Sequence, residues 1–222
     1  MLAKVGLITI GQSPREDIVP HITRILGPEI QVQEIGALDD ASPGAGEYRY
    51  SGQQGPVYVT RLRDKSQVEV AESTLLPLIR QCVSRLREDG ISTFGLLCTG
   101  EYPDLANIPG LVRPYPVLHR LVDALLPVGR LGVIVPSVRQ VEDKKRDWAS
   151  PGREVHVAAA SPYSSEEELQ NACGCLKASG SELVVLDCLG FSYETKMKAR
   201  TALGVPVVMA GSVFAWTMKE LL

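Results

Sequence analysis

Apolar runs of strand length alternate along the chain with stretches whose apolar residues recur at helical spacing. Residues 4–10 form the first such run, closed by Gly11, and predict a strand. Ser13-Pro14-Arg15-Glu16-Asp17 reads as a helix start, with a capping Ser, Pro at the first helical position and acids in the first turn. Ile18, Val19, Ile22, Ile25 and Leu26 continue that helix until Gly27-Pro28. Residues 30–35 alternate apolar and polar as a second strand, and 37–56, rich in Gly, Pro, Ser and Asp, read as loop. Residues 57–62 and 67–70 flank Arg63-Asp64-Lys65-Ser66 as a hairpin insertion near 57–70. A long helix over 72–88 ends at Asp89-Gly90.

The second half repeats the alternation. It predicts a helix over 117–126, a strand over 130–135, a charged helix over 138–148 and a strand over 154–159. A helix opened by Ser164-Ser165-Glu166-Glu167-Glu168 follows, then a strand, a helix over 193–203, a strand over 205–209 and a terminal helix from Gly211. Strands alternating with helices imply mainly parallel sheets, and the weak internal similarity implies two α/β halves.

Within that pattern two cysteines occupy matching places. Thr93-Phe94-Gly95-Leu96-Leu97-Cys98-Thr99-Gly100 and Leu183-Val184-Val185-Leu186-Asp187-Cys188-Leu189-Gly190 are each an apolar run, then Cys, one residue, Gly, and soon an aromatic, Tyr102 or Phe191. Ligands of open α/β sheets bind beyond the carboxyl ends of the strands, which is where both thiols fall. If the two halves face each other, the cleft between them is the default site. A facing pair of thiols can take a proton from one side of a carbon and return it on the other, with no cofactor. The working form is the thiolate, and both cysteines precede a Gly and a predicted helix start whose dipole favours it. Free Cys is also among the most buried residue types, so each thiol alone reads equally well as a small packed group.

Gly11, Gln12, Ser13 and Arg15 form the other candidate site. A strand, a tight turn and a helix N-terminus present backbone N–H groups to an anion. Ser13 adds a hydroxyl, and Arg15 can clamp a carboxylate or phosphate through two hydrogen bonds. The alternative is plain capping by Ser13 with a solvated Arg15. The loop is not a dinucleotide fingerprint, because the later glycines are missing. Pro136 and Ser137 end a central strand and offer further donors, or a simple turn. Glu101, Tyr102 and Asp104 read as substrate-positioning groups or as a polar loop. Asp187 can orient a neighbour, although strand alternation can point it away from the thiol.

No metal site is expected. Cys173-Gly174-Cys175 lacks a second ligand pair and sits on a predicted helix, where residues two apart face different sides. His21, His119 and His156 are scattered, and Lys144-Lys145-Arg146 reads as a solvated helix face. The chain has 222 residues, 45% hydrophobic and 22% charged, enough for one large domain or two small ones. A net charge of −3 gives no basic footprint, so nucleic acid is not an expected partner. No apolar run reaches membrane-spanning length, and Met1-Leu2-Ala3-Lys4 runs straight into a strand without signal-peptide character. With five cysteines, an odd count, the expectation is reduced thiols in the cytoplasm.

Four segments together resemble the AroM family: Leu7-Ile8-Thr9-Ile10-Gly11-Gln12-Ser13-Pro14-Arg15, Leu96-Leu97-Cys98-Thr99-Gly100, Gly132-Val133-Ile134-Val135-Pro136 and Leu186-Asp187-Cys188-Leu189-Gly190-Phe191. That family is similar in turn to the aspartate/glutamate racemase superfamily, which includes racemases, maleate isomerases and arylmalonate decarboxylases. The resemblance implies two pseudo-symmetric α/β domains with a cleft between them, the first formed by 1–112 plus 208–222 and the second by 113–207. It implies a cofactor-free enzyme with Cys98 and Cys188 in the catalytic positions, and a possible homo-oligomer. Substrate contacts are implied at Gly11, Gln12, Ser13, Arg15, Thr99, Gly100, Pro136, Ser137, Leu189 and Gly190. The motifs depart from the racemases of the group: Thr99-Gly100 replaces the usual Asn-Thr, and Leu189-Gly190 follows the second Cys with no hydroxyl and no nearby His. The expected reaction is racemase- or isomerase-like proton transfer on a small carboxylate, with one Cys acting as base or as nucleophile. The alternatives are a non-catalytic carboxylate or phosphate sensor on the same scaffold and a decarboxylase or lyase.

Overall fold

The computed structural model describes residues 3–53 and 55–222; Met1 and Leu2 of the N-terminal segment, and Gln54 of the 37–56 loop, lie outside the described residues. The chain forms two compact units, Met1–Tyr115 with Thr217–Leu222, and Pro116–Trp216.

The first unit contains β1 (Ala3–Thr9), α1 (Val19–Leu26), β2 (Ile30–Gly36), β3 (Val57–Arg61), β4 (Gln67–Ala71), α2 (Glu72–Glu88), β5 (Phe94–Leu96) and the short β6 (Leu111–Val112). Its sheet runs β2-β1-β5-β6, parallel throughout, and β3 and β4 form the expected antiparallel hairpin. Helix α3 (Pro114–Leu125) leads into the second unit, with β7 (Gly129–Val135), α4 (Val141–Asp147), β8 (Arg153–Ala159), α5 (Glu166–Ala178), β9 (Leu183–Leu186), α6 (Tyr193–Leu203) and β10 (Val207–Met209). Its parallel sheet runs β8-β7-β9-β10. The two strand orders are the same, with β7, β8, β9 and β10 standing for β1, β2, β5 and β6. The closing helix α7 (Ala210–Lys219) follows β10 directly.

The central strands read as continuous apolar runs because both of their faces are covered. The last five residues of β1 and of β7 are all buried. Ile8, Leu75, Ile79, Leu86, Phe94 and Leu96 belong to the core of the first unit; Ile134, Leu169, Leu176, Val184, Leu186 and Leu203 belong to that of the second. Each central strand carries a glycine at its fourth residue where a neighbour presses in. A Cβ at Gly6 would lie 2.5 Å from Leu86 Cδ1, and one at Gly132 would lie 2.9 Å from Ser181 Oγ and Val184 Cγ2.

The first helix departs from its sequence signature. It starts at Val19 after Ile18, with Pro20 in its first turn, and Ser13 does not cap it. The Ser13–Pro14 peptide is cis, and the Arg15 carbonyl accepts from the N–H groups of Ile18 and Val19 in a turn. Ser13 is drawn off because its N–H and hydroxyl both donate to Asp39. The 37–56 loop contains a 3-10 segment, Pro43–Tyr48, and the charged 138–148 helix opens with a 3-10 turn, Val138–Gln140. The units divide after Tyr115, and the chain returns to the first unit at Thr217. β10 is bonded to β9 in the second sheet, which keeps residues 207–209 with the second unit. Among the described residues no helix is long and apolar enough to cross a membrane.

Candidate functional site

In the first sheet β1 has β2 on one side and β5 on the other, so the chain's winding reverses between β1 and β5. The same reversal lies between β7 and β9 in the second sheet. Ligand crevices of open parallel sheets form at such switch points, outside the carboxyl ends of the strands. Each cysteine sits there. Cys98 is separated from β5 by Leu97 alone, and Cys188 from β9 by Asp187 alone.

The two motifs are held by matching bonds. Leu97 N–H donates to Ile8 O at 2.7 Å, and Asp187 N–H donates to Ile134 O at 2.9 Å, so the residue before each Cys is pinned to the central strand. Gly100 N–H donates to Cys98 Sγ at 3.4 Å, and Gly190 N–H donates to Cys188 Sγ at 3.4 Å. A donor aimed at sulfur favours the thiolate. Both thiols are half-buried. Two of the other cysteines behave as packed apolar groups. Burial, and then the Asp39 charge, push the Cys82 thiol up to about 12, and burial also raises Cys173. Cys175, on the same helix as Cys173, is exposed.

Around Cys98 the reading of residues 101–104 as a polar loop is overturned at Tyr102, which is fully buried. Its O–H donates to Cys98 Sγ at 3.7 Å, and its ring stacks on Tyr58 of β3. Beside Cys188, the Asp187 side chain points into the core of the second unit. It accepts Trp148 Nε1–H at 3.0 Å and pairs with Lys144 Nζ at 3.2 Å. Lys144 is therefore not part of a solvated face as the sequence suggested; its side chain is 13% exposed, whereas Lys145 and Arg146 are exposed. The Trp148 ring stacks on His119 with centroids 3.7 Å apart. Tyr58, Lys144, Trp148 and His119 were missed as companions of the cysteines, since no local spacing links them to either motif.

The loop after β1 uses its donors internally. Asp39 Oδ1 accepts Ser13 N–H at 2.7 Å, and Oδ2 accepts both the Ser13 hydroxyl and Gly36 N–H at 2.7 Å. Arg15 N–H donates to Glu34 at 2.8 Å, and its guanidinium forks onto Asp17 with two bonds of 2.9 Å. Gln12 donates from Nε2 to Leu38 O and accepts Arg63 N–H at Oε1. Gly11 N–H reaches Thr9 Oγ1. The expected helix N-terminus is absent here; carboxylates accept from Ser13 and Arg15, while the Gly11 and Gln12 donors go to the Thr9 hydroxyl and to the Arg61 and Leu38 carbonyls. Thr99 and Ser137 are half-buried, and the Ser137 hydroxyl accepts Arg139 N–H at 3.3 Å. Leu189 is 4% exposed, so its side chain is core. Among the described residues no three His, Cys, Asp or Glu side chains gather as metal ligands.

A family model described as AroM protein matches residues 5–222. No curated protein sequence matches the chain. Solved structures similar to it include a glutamate racemase from Bacillus anthracis, at 15% identity with TM-score 0.64, covering 99% of this chain and 81% of that one. An arylmalonate decarboxylase is similar at 16% identity and TM-score 0.62, covering 98% and 91%. The maleate isomerase of Pseudomonas putida S16 is similar at 13% identity and TM-score 0.61, covering 100% and 93%. The chain thus has the fold of the aspartate/glutamate racemase superfamily.

Proposed function

The chain belongs to the AroM family, and from that premise we propose that it is a cofactor-independent racemase- or isomerase-like enzyme acting on a small carboxylate. One observation carries this reading: a half-buried thiol stands at the same strand end of each unit, and each accepts the N–H of the glycine two places on at 3.4 Å. One cysteine, as thiolate, takes the proton α to the carboxylate, and the other, as thiol, gives one back. The likeness in fold to a glutamate racemase and a maleate isomerase supports a reaction of this class. Thr99 and Ser137 supply hydroxyls, and Gly100, Pro136, Leu189 and Gly190 shape the loops by their backbone. Gly11, Gln12, Ser13 and Arg15 serve by fixing the loop after β1, because their donors are already engaged there.

The test is exchange of the α-hydrogen in deuterium oxide, followed by proton NMR over a panel of 2-amino, 2-hydroxy and 2-aryl acids. The wild-type protein is expected to exchange at least one of these, and Cys98→Ser and Cys188→Ser each to abolish that exchange. Exchange that persists in both variants, or none with any acid of the panel, overturns the reading.

A further inference from the structure

The loop after β5 holds one residue in a backbone conformation that tyrosine rarely adopts. Tyr102 has φ of 43°, in the left-handed region. Such a residue persists only where its surroundings over-determine it. Here they do. Arg113 Nη1 donates to the carbonyls of Glu101 and Tyr102 at 2.7 and 3.0 Å. Tyr58, carried in by the hairpin, stacks on the Tyr102 ring at 4.6 Å and is itself anchored by its hydroxyl on Glu72 Oε2 at 2.8 Å. Gly100 leaves room for the pair, since a Cβ there would stand 2.5 Å from Tyr58 Cε1 and 2.7 Å from Tyr102 Cε2. The outcome of this packing is a buried phenol aimed at Cys98 Sγ.

We propose that Tyr102 is a positioning residue which, by donating its O–H to Cys98 Sγ beside the Gly100 N–H, holds Cys98 as the resting thiolate. The inference rests on the two-thiol reading above. The Cys98 thiolate forms an S–H bond as the substrate C–H breaks, which leaves the electron pair on the substrate as an enolate. The Cys188 S–H then breaks as a new C–H forms, and Cys188 is left as thiolate. Cys98 then gives its proton to solvent and Cys188 takes one from solvent, which restores the resting state. Burial, and then the charge of Cys98, raise the Tyr102 phenol well above its ordinary value, so it remains a donor wherever the thiolate exists. The ionisable groups along this array are Tyr102 of the same loop, Tyr58 of β3 and Glu72 of α2. In the second unit a phenol also stands by the matching glycine: a Cβ at Gly190 would lie 2.9 Å from the Tyr163 hydroxyl oxygen. Ser192, at the place of Tyr102, caps α6 by accepting Thr195 N–H at 3.0 Å.

The experiment is iodoacetamide labelling of the whole protein as a function of pH, with Cys98 and Cys188 followed separately by peptide mass spectrometry. Tyr102→Phe is expected to raise the Cys98 midpoint by about one pH unit, the size of one hydrogen bond to a charged group, and to leave that of Cys188 in place. Putting 3-fluorotyrosine at 102 strengthens the donor without changing its shape, and is expected to lower the Cys98 midpoint. If the two replacements move that midpoint in the same direction, or neither moves it, the assignment is wrong. The fluorinated protein decides alone if Tyr102→Phe does not fold. No substrate enters this measurement. Shifted midpoints without α-hydrogen exchange would therefore leave the thiolate assignment standing and count against the catalytic reading only.

Discussion

Asp187 serves two partners with one buried carboxylate, the Trp148 indole and the Lys144 ammonium, while its backbone N–H pins the residue before Cys188 to β7. Removing one member of a buried ion pair strands the other, and that costs more than the pair contributes. Asp187→Asn keeps the shape but removes the buried carboxylate from Lys144, which then has the more exposed Asp147 at 3.5 Å. It is expected to lower stability by about 1–2 kcal/mol, less than the cost of a fully stranded charge because Asp147 remains, read as a fall in the urea unfolding midpoint; an unchanged midpoint would show that the pair bears no such load. At this scale the sequence was informative where a motif recurs. Cys98 and Cys188 stood out because apolar run, Cys, any residue, Gly occurs twice. Lys144 did not, because three consecutive cations read as solvated, and only the angle at which α4 meets the sheet decides which of them turns inward. Tyr102 was hidden for a related reason: its neighbours Glu101 and Asp104 are polar, and the ring that buries it arrives from β3, more than forty positions earlier in the sequence.

Among the elements, the strands were the most legible, because a parallel strand covered on both faces needs a short apolar run and little else. The start of α1 was the least. Ser-Pro followed by acids satisfies every local rule for a helix start, yet Asp39, from the turn after β2, competes for Ser13 and wins with bonds of 2.7 Å from both its N–H and its hydroxyl. Asp39 also accepts Gly36 N–H and pairs with Arg63 of the hairpin. This one carboxylate thus ties together the loop after β1, the end of β2 and the segment after β3. Asp39→Ala is expected to cost about 2–3 kcal/mol through the donors it leaves unmet. It is also expected to speed hydrogen exchange at the Ser13 and Gly36 amides while the amides of β7 and β9 keep their protection. Uniform acceleration across both sheets would instead mean a global loss of stability with no local role for Asp39.

For the molecule as a whole, His119 is one group through which acid acts. Burial pushes its imidazole down to about 4, with Lys144 and Arg153 acting in the same sense and Asp187 and Asp123 opposing them. Above the unfolded value near 6.5 the ring is neutral in both states and contributes no pH dependence. Between 6.5 and about 4 the unfolded chain binds a proton that the folded chain does not, so stability falls as pH falls through that window. Discounted for partial exposure, the loss is about 1–2 kcal/mol. His119→Phe keeps a ring against Trp148 but cannot ionise, and is expected to flatten the decline in melting temperature between about pH 7 and 4.5; an unaltered slope would place the acid sensitivity elsewhere. The two-unit plan was visible in the alternation of the sequence. The boundaries were less so, because α3 and α7 each run through a division that leaves no break in their helical pattern. The late return of α7 has a consequence for synthesis. Residues 217–222 belong with the first unit, and Lys219 Nζ reaches back to Ile25 O at 2.9 Å. In synthesis, the first unit therefore begins before the second but receives its 217–222 piece after it: residues 116–216 are all translated between the two parts that make up the first unit.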